Sequence, residues 1–231
     1  MIKIGKYKNI MRITIFFCLV IFGFKGLSQE IGILEDKRDG KIYKTIKIEN
    51  QIWFAENLAY KPDKENSWSY DNNKNNEDKF GRLYCWNTAI NVCPIGWHLP
   101  NNDEWITLLN LYGGKPFAGK KLKASFGWNK PETEEIKNMH IARPEYKDTL
   151  DWNSCLGDLN SIVCFNIFPS GKMTPEGKFQ HLGNDAIFWS ETAKKNNKVA
   201  WKIRFNCNTD SVGMEPCYYL NALSVRCVKN K

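Results

Sequence analysis

The alternation of apolar and polar residues predicts a β-hairpin near the start of the chain. A stretch rich in β-branched side chains places Ile42, Ile46 and Ile48 on one face of a strand. The polar residues 49–51 are typical of a turn. The apolar run 52–55 then predicts the strand that returns beside the first.

The next segment, 61–79, consists mostly of Asn, Lys, Asp and Glu, and this composition predicts a long solvated loop. Its acidic start at Asp71 imitates a calcium-binding EF-hand loop. However, the sixth position, which requires glycine, is Asn76, and the twelfth, which requires glutamate, is Arg82. The segment is therefore not predicted to bind calcium.

Helical spacing of apolar residues predicts two helices in the middle of the chain. The first covers residues 83–93 and ends before Pro94. The second begins after an N-cap at Asn101, with Glu104 three residues later as in a capping box. Its apolar stripe follows an i, i+3, i+4, i+7 pattern and consists of Trp105, Leu108, Leu109 and Tyr112.

Beyond residue 117 the helical periodicity is lost, and short apolar runs alternate with Gly, Asn and Pro. These runs predict four or five short antiparallel strands, at 162–168, 186–190, 199–205 and 218–228. The predicted fold class is therefore α+β, with two helices packed on a small antiparallel sheet and a long loop-rich insertion.

The first 28 residues have the pattern of a secretory signal peptide. Basic residues precede an apolar stretch of about a dozen residues, 13–24, which is shorter than the ~20 residues of a membrane-spanning helix. Small residues at Gly26 and Ser28 predict cleavage after Ser28. We expect one secreted or cell-surface domain at 29–231, with an uncleaved membrane anchor as the alternative.

Removal of the signal peptide changes the charge of the protein. Residues 1–28 contain five basic and no acidic residues, so the formal net charge falls from +8 to +3 in residues 29–231. A mildly basic chain does not favour nucleic acid as a partner. No membrane span is predicted after residue 28, and the oligomeric state does not follow from the sequence.

Seven of the eight cysteines lie in residues 29–231. In an oxidising compartment they predict disulfides with one unpaired thiol. The spacings between successive cysteines are wider than the two to four residues typical of structural zinc sites. Zinc is therefore not predicted.

Eight short segments, in order along the chain, resemble the Fibrobacter succinogenes major paralogous domain, a family of secreted bacterial modules. Any one of these segments is a weak signal, whereas eight in order are specific. The segments are 38–45 (RDGKIYKT), 51–58 (QIWFAENL), 81–84 (GRLY), 93–100 (CPIGWHLP), 104–105 (EW), 118–123 (AGKKLK), 188–192 (FWSET) and 224–229 (SVRCVK).

The resemblance implies a C-type-lectin-like fold in which a helical region is joined to the last strand by a disulfide. Carried onto this chain, that disulfide is Cys93–Cys227. The unpaired thiol is then Cys85. The remaining bonds are local, namely Cys155–Cys164 and Cys207–Cys217, with Cys155–Cys217 as an alternative.

The residues do not form an enzymatic motif. The three histidines are His98, His140 and His181, and no zinc-protease or hydrolase nucleophile motif includes them. We expect a non-enzymatic protein without a cofactor. The enzymatic alternative is a thiol enzyme similar to the formylglycine-generating enzymes, which share the C-type-lectin-like fold, with Cys85 as the reactive thiol.

A binding site is predicted where aromatic residues and amide or carboxylate side chains occur together. Trp faces stack on sugar rings, while Asn and Asp bind hydroxyl groups. The Glu-Pro-Asn, Gln-Pro-Asp and Trp-Asn-Asp motifs of calcium lectins are absent, so calcium-dependent binding is not expected. The partner is predicted to be an extracellular polysaccharide or, alternatively, a surface protein. The predicted ligand-binding residues are Trp128, Trp152, Asp151, Asn153 and Asp158.

Overall fold

The structure is a computed structural model that describes residues 29–63, 66–129, 165–194 and 198–231. The described residues form thirteen strands, four α-helices and one 3-10 turn at Tyr70–Asn72. The helices are α1 (Lys74–Phe80), α2 (Trp86–Ala89), α3 (Asn102–Leu111) and α4 (Ala118–Leu122). The strands are β1 (Gln29–Asp36), β2 (Lys41–Ile48), β3 (Gln51–Phe54), β4 (Ser67–Trp68), β5 (Leu83–Cys85), β6 (Trp97–His98), β7 (Ser170–Met173), β8 (Phe179–Leu182), β9 (Asp185–Lys194), β10 (Val199–Asn206), β11 (Thr209–Tyr218), β12 (Ala222–Ser224) and β13 (Val228–Lys229).

The described strands pair into two sheets. The first has the order β1-β2-β3-β13-β6, and the second has the order β11-β10-β9-β7-β12-β5-β4, with β8 paired to β7. Most neighbours are antiparallel, whereas β9 pairs in parallel with β7 and β12. Both sheets therefore combine strands from the two ends of the chain.

The predicted fold class, α+β with two helices on a small sheet, is wrong. Strands take 43% of the described residues and helices 18%, and the strands form two large sheets. The described residues do not show the C-type-lectin-like arrangement that the resemblance implied. Five strands contain only two or three residues. Alternation cannot be recognised over so few positions, so the sequence pattern underestimates the sheets.

The predicted hairpin is confirmed. Strands β2 and β3 are antiparallel, with Ile46 opposite Trp53 and a two-residue turn between them. Ile46 and Ile48 are fully buried, as expected for one face of the strand. Ile42, which was predicted to share that face, is 63% exposed because it lies beyond the end of β3, where it borders a cleft.

The prediction of a solvated loop at 61–79 is wrong. This segment contains β4, the 3-10 turn and α1. The side chain of Asn73 accepts a hydrogen bond from the backbone N–H of Asn75 at the start of α1. Tyr70 is buried against the ring of Phe179, 5.1 Å between centroids. Contacts with distant residues thus give structure to a segment of polar composition.

The first predicted helix, 83–93, is largely wrong, because its start pairs as a strand. Leu83 and Cys85 belong to β5, which is antiparallel to β12 near the end of the chain. Only Trp86–Ala89 is α-helical. Hydrogen bonds to a distant strand therefore override the local helical spacing.

The second predicted helix is confirmed as α3. The Asn101 side chain accepts from the N–H of Glu104, and the Glu104 carboxylate accepts from the N–H of Asn101. These two bonds are the predicted capping box. Of the apolar stripe, Trp105, Leu108 and Leu109 are fully buried, and Tyr112 is 8% exposed.

The later strands agree with the predicted runs only in part. The run 186–190 lies in β9 and the run 199–205 lies in β10, as predicted. The run 218–228 instead spans the end of β11, then β12 and the start of β13. The described part of the run 162–168 forms one bridge, between Ile167 and Lys123. Strands β7, β8 and most of β11 lie outside the predicted runs.

Strand β3 contributes to the core from both of its faces. Trp53 and Phe54 are adjacent and both are fully buried. The Trp53 ring lies 4.9 Å from the Trp105 ring, whereas the Phe54 ring lies 4.9 Å from Tyr43 and 4.8 Å from Trp97. Each such burial stabilises the fold by about 2–3 kcal/mol. The first sheet is thus covered on both sides at its centre.

The disulfide Cys93–Cys227 that the resemblance implied is confirmed. The two Cα atoms lie 5.9 Å apart and the bond joins positions 134 residues apart. Cys227 is fully buried, directly before Val228, which pairs with Trp53. The bond therefore attaches the last strand to the region between α2 and β6.

The predicted Cys207–Cys217 bond is wrong, and both cysteines are free. Cys207 lies in the turn between β10 and β11, whereas Cys217 pairs with Ala200 at the other end of the same hairpin. The eight residue-to-residue steps of extended chain from Thr209 to Cys217 span roughly 25 Å, far more than the ~6 Å of a disulfide. Cys155 and Cys164 lie outside the described residues.

The predicted signal peptide, residues 1–28, also lies outside the described residues, and it stays a prediction. Within the part of the chain that the structure describes, no helix has the length and apolar character that a membrane crossing requires.

Candidate functional site

A cleft of about 460 Å³ opens between the first sheet and helix α1. One wall comes from β2 and the segment that follows β3, and the opposite wall comes from α1. Phe126 and Phe168 close one side, and Arg226 lies at the bottom. The cleft therefore combines residues that are far apart in the sequence.

Gly81 allows the two walls to approach each other. It ends α1 with a φ of +73°, a conformation that favours glycine. A Cβ atom at this position would lie 2.7 Å from the carbonyl oxygen of Leu58 and 2.8 Å from the Asn57 side chain. The next residue, Arg82, donates its backbone N–H to that same carbonyl at 2.9 Å. The end of α1 is thus held against the segment after β3.

The cleft has an apolar side. Ile42 is 63% exposed, and Phe126 is half-buried. The ring of Phe126 meets that of Phe168 edge to face, with 5.3 Å between centroids, and Phe168 in turn contacts Phe80 at 6.5 Å. This packing holds the Phe126 ring in place at the border of the cleft.

The opposite side of the cleft is charged, and Glu77 is its centre. The Glu77 carboxylate accepts hydrogen bonds from Arg82 and from Lys74 at 2.8 Å, and the Lys41 ammonium lies 3.5 Å away. Burial would raise the pKa of Glu77, but the hydrogen bonds from Lys74 and Arg82 outweigh burial and hold the pKa below its usual value. Glu77 is therefore ionised, and its carboxylate oxygens are already bound by Lys74 and Arg82.

Arg226 places a buried positive charge beneath the cleft. Its side chain donates to Oδ1 of Asn57 from Nε at 3.2 Å and from Nη2 at 2.7 Å, and to the carbonyl oxygens of Phe165 and Asn166. The guanidinium also lies 4.7 Å from the Phe165 ring centroid and 5.5 Å from that of Phe188. All of these partners are neutral.

Burial lowers the pKa of Arg226 to about 9, and the negative charge of Glu56 acts in the opposite direction. Arg226 therefore stays charged at neutral pH. No described carboxylate forms an ion pair with it within 4.0 Å. Glu56 instead accepts the backbone N–H of Lys44 at 2.9 Å. A buried cation with only neutral hydrogen-bond partners is costly, and its field reaches the cleft.

Only one of the five predicted ligand-binding residues lies in the described part of the chain. Trp128 is half-buried against the main hydrophobic core and is absent from the lining of the cleft. The Lys123 ammonium lies 5.4 Å from the centroid of the Trp128 ring. The Nε1 atom of Trp128 is buried and has no acceptor among the described residues. The other four residues lie outside the described ranges: Trp152, Asp151, Asn153 and Asp158.

A second cavity, of about 340 Å³, borders the free thiol of Cys85. Cys85 and Met173, which both line this cavity, pair with Ala222 from opposite sides. The prediction that Cys85 is unpaired is confirmed, whereas its placement within a helix is wrong, because it ends β5. Burial raises the pKa of the Cys85 thiol, so the thiol is mostly protonated and weakly nucleophilic at neutral pH.

His98, at the end of β6, uses both ring nitrogens in side-chain hydrogen bonds. Its Nε2 lies 3.0 Å from both carboxylate oxygens of Glu104, and its Nδ1 lies 2.6 Å from Oδ1 of Asn230. His181 contacts the buried Asp185 at 3.3 Å. His140 is outside the described residues. Among the residues that the structure describes, no three His, Cys, Asp or Glu side chains form a group that could hold a metal ion.

The sequence reasoning missed the cleft, although one signal for it was available. Arg226 stands between Val225 and Cys227, both fully buried, in a segment that is mostly apolar. A charged residue in such a segment must bury its head group with partners or point it toward a cavity. The partners themselves, such as Asn57, could not be identified without the tertiary structure.

Comparison with known proteins found one family. The family model described as the Fibrobacter succinogenes major domain matches residues 46–229. This range includes most of the cleft, from Ala55 to Arg226, whereas Lys41, Ile42 and Tyr43 precede it. No curated protein and no solved structure matches the chain.

Proposed function

The chain belongs to the Fibrobacter succinogenes major domain family, and we propose that it is a non-enzymatic recognition module, secreted or held at the cell surface, whose cleft binds a polysaccharide. The observation that carries this proposal is the composition of the cleft. The exposed side chain of Ile42 and the half-buried ring of Phe126 face a polar side formed by α1. Sugar rings require the same combination of apolar and polar contacts.

In the proposed complex, the apolar face of a sugar ring packs on Phe126 and Ile42. Its hydroxyl groups bind the carboxylates and amides opposite, of which Asp78 and Asn75 are exposed. Burial of about 100 Å² of apolar surface contributes about 2–3 kcal/mol. The cleft volume accommodates one or a few sugar units within a longer chain.

The non-enzymatic part of the proposal is supported by the state of the candidate reactive groups. Cys85 has a raised pKa, which lowers its nucleophilicity. His98 uses both ring nitrogens in contacts that join α3 to the end of the chain. Neither residue lines the 460 Å³ cleft. These observations disfavour the alternative of a thiol enzyme similar to the formylglycine-generating enzymes.

The test is binding of purified residues 29–231 to an array of glycans and plant polysaccharides. We expect binding that is unchanged by a calcium chelator, and a large loss of binding in Phe126→Ala and Ile42→Ser. Ile95→Ser is the matched control, because Ile95 is an exposed isoleucine like Ile42 but does not line the cleft. Binding that survives both cleft variants would place the ligand elsewhere.

A second candidate function, a surface for protein interaction, is favoured by strand β1. It forms an outer edge of the first sheet and carries Ile31 and Ile33, which are 37% and 76% exposed. Such edges recruit strands from other proteins. This function would be supported instead if no glycan of the array bound and a surface protein did. Binding of that protein should then be lost in Ile33→Lys.

A further inference from the structure

We infer that the polysaccharide bound in the cleft is acidic and carries carboxylate groups, as a chain of uronic acid units does. The inference rests on the proposed function and specifies the ligand class for the same site. It follows from three observations: the buried charge of Arg226, the loosely held ammonium of Lys41, and the pairing of two acidic residues that border the cleft.

The first observation is that the positive charge of Arg226 is not neutralised by a negative partner among the described residues. Its guanidinium is 1% exposed and makes four hydrogen bonds, all to neutral oxygens. A guanidinium has five N–H groups, so one N–H on Nη1 has no acceptor among the described residues. A charge in this low-dielectric position acts strongly on the cleft that it lines. A ligand carboxylate in the cleft would supply the missing negative charge.

The second observation concerns the edge of the cleft. The Lys41 ammonium is 3.5 Å from a Glu77 oxygen and 3.5 Å from the carbonyl oxygen of Ala59. Both distances exceed those of ordinary hydrogen bonds, and the side chain is 33% exposed. Lys41 can therefore turn toward a ligand at little cost. Lys79 adds a second basic side chain to the lining.

The third observation is that, among the described residues of the lining, two of the three acidic ones are already paired. Glu77 binds Arg82 and Lys74, and Asp78 lies 2.9 Å from the Lys74 ammonium. The two basic partners, Lys74 and Arg82, do not line the cleft, and their positive charges offset those of Glu77 and Asp78. Glu56 is the remaining carboxylate of the lining. Against Glu56 stand the charges of Arg226 and Lys41, so the balance among these three residues is positive, which favours an anion over a neutral sugar.

The experiment compares polygalacturonate with its fully methyl-esterified form, because both have the same backbone and differ in charge. Titration of residues 29–231 should give at least tenfold tighter binding to the acidic polymer at low salt. This advantage should shrink as sodium chloride is raised from 20 to 500 mM, because salt screens exposed charges. A neutral mannan serves as the third ligand.

Lysine variants test the site without disturbing the core. Lys41→Gln and Lys79→Gln should each weaken binding of polygalacturonate about two- to fivefold, the range of one exposed ion pair. Lys47→Gln is the matched control, because it removes the same charge from the same strand, about 20 Å from Lys41 and outside the cleft. It should leave the affinity unchanged.

The outcomes separate this inference from the proposed function. Equal binding of the acidic and esterified polymers would overturn the inference and leave the function in place. Binding of none of the three polymers would overturn the inference, whereas the proposed function is contradicted only when no glycan of the array binds. Binding of poly-glutamate as tight as that of polygalacturonate would overturn the choice of a polysaccharide in favour of an acidic protein. If Lys47→Gln weakened polygalacturonate binding as much as Lys41→Gln and Lys79→Gln do, the assignment of the ligand to the cleft would be wrong.

Discussion

A single amide oxygen, Oδ1 of Asn57, accepts two hydrogen bonds from the guanidinium of Arg226, at 2.7 and 3.2 Å. The two residues are 169 positions apart in the sequence. The Asn57 amide nitrogen in turn donates to the carbonyl oxygen of Phe80 at the end of α1. Asn57 therefore joins three distant parts of the chain around a buried charge, directly beneath the cleft.

The first prediction concerns this contact. Asn57→Leu has a similar volume but no acceptor, so two N–H groups of Arg226 lose their partner inside the protein. We expect a loss of about 3 kcal/mol in the free energy of unfolding, measured by urea denaturation. Asn57→Asp keeps the acceptor oxygen and should cost clearly less. Equal losses in the two variants would show that the hydrogen bonds to Arg226 are not the cause.

The second prediction concerns the Cys93–Cys227 disulfide. Because it closes a loop of 134 residues, loop-closure entropy predicts that its removal costs about 5 kcal/mol. The double variant Cys93→Ala, Cys227→Ala should lower the unfolding temperature by well over 10 °C in a calorimetric scan. The matched control is Cys85→Ala, which removes a free thiol. A double variant as stable as this control would contradict the prediction.

The third prediction concerns the free thiols. Burial raises the pKa of Cys85 and of Cys217, so each has less thiolate at pH 8 than an unfolded cysteine. Alkylation by iodoacetamide, followed by peptide mass spectrometry, should be slower at both sites in the native protein than in urea. A rate at either site that is the same with and without urea would contradict this prediction. A peptide pair linked through Cys207 and Cys217 would contradict the structure.

The fourth prediction is a pH dependence that Glu77 controls. Its pKa is lower in the folded protein than the ordinary value of 4.5, so the unfolded chain binds the proton more readily. The stabilisation is therefore present above about pH 4.5 and is lost as the pH falls through the folded pKa. Glu77→Gln should be less stable than the parent at pH 6, and the difference should narrow toward pH 3. Glu49→Gln, in an exposed turn, should follow the parent curve throughout.

Helix α3 shows where local sequence information was sufficient. Its N-cap Asn101, the partner Glu104 and the buried side of the helix follow from residues within one stretch of the chain, and the structure has all of them. The hairpin of β2 and β3 was equally predictable, since its strands are neighbours in sequence. In both elements the residues that stabilise the element belong to it.

Strand β5 shows the opposite case. Leu83 and Cys85 have helical spacing with the residues that follow, yet they pair with Ala222 and Ser224. Hydrogen bonds to a strand more than 130 residues away cannot be read from a local pattern. The same reason explains the missed helix α1, which packs against distant residues through Phe80.

The amino-acid sequence by itself determined the family, the hairpin, the capped helix and the Cys93–Cys227 bond that the family resemblance implied, because these depend on short segments and their order. Only the tertiary structure decided the extent of the two sheets, the separation of Cys207 from Cys217, and the cleft above Arg226. The physical reason is that short strands and buried charges are stabilised by partners far away in the sequence. The chain must fold before Asn57 and Arg226 can meet.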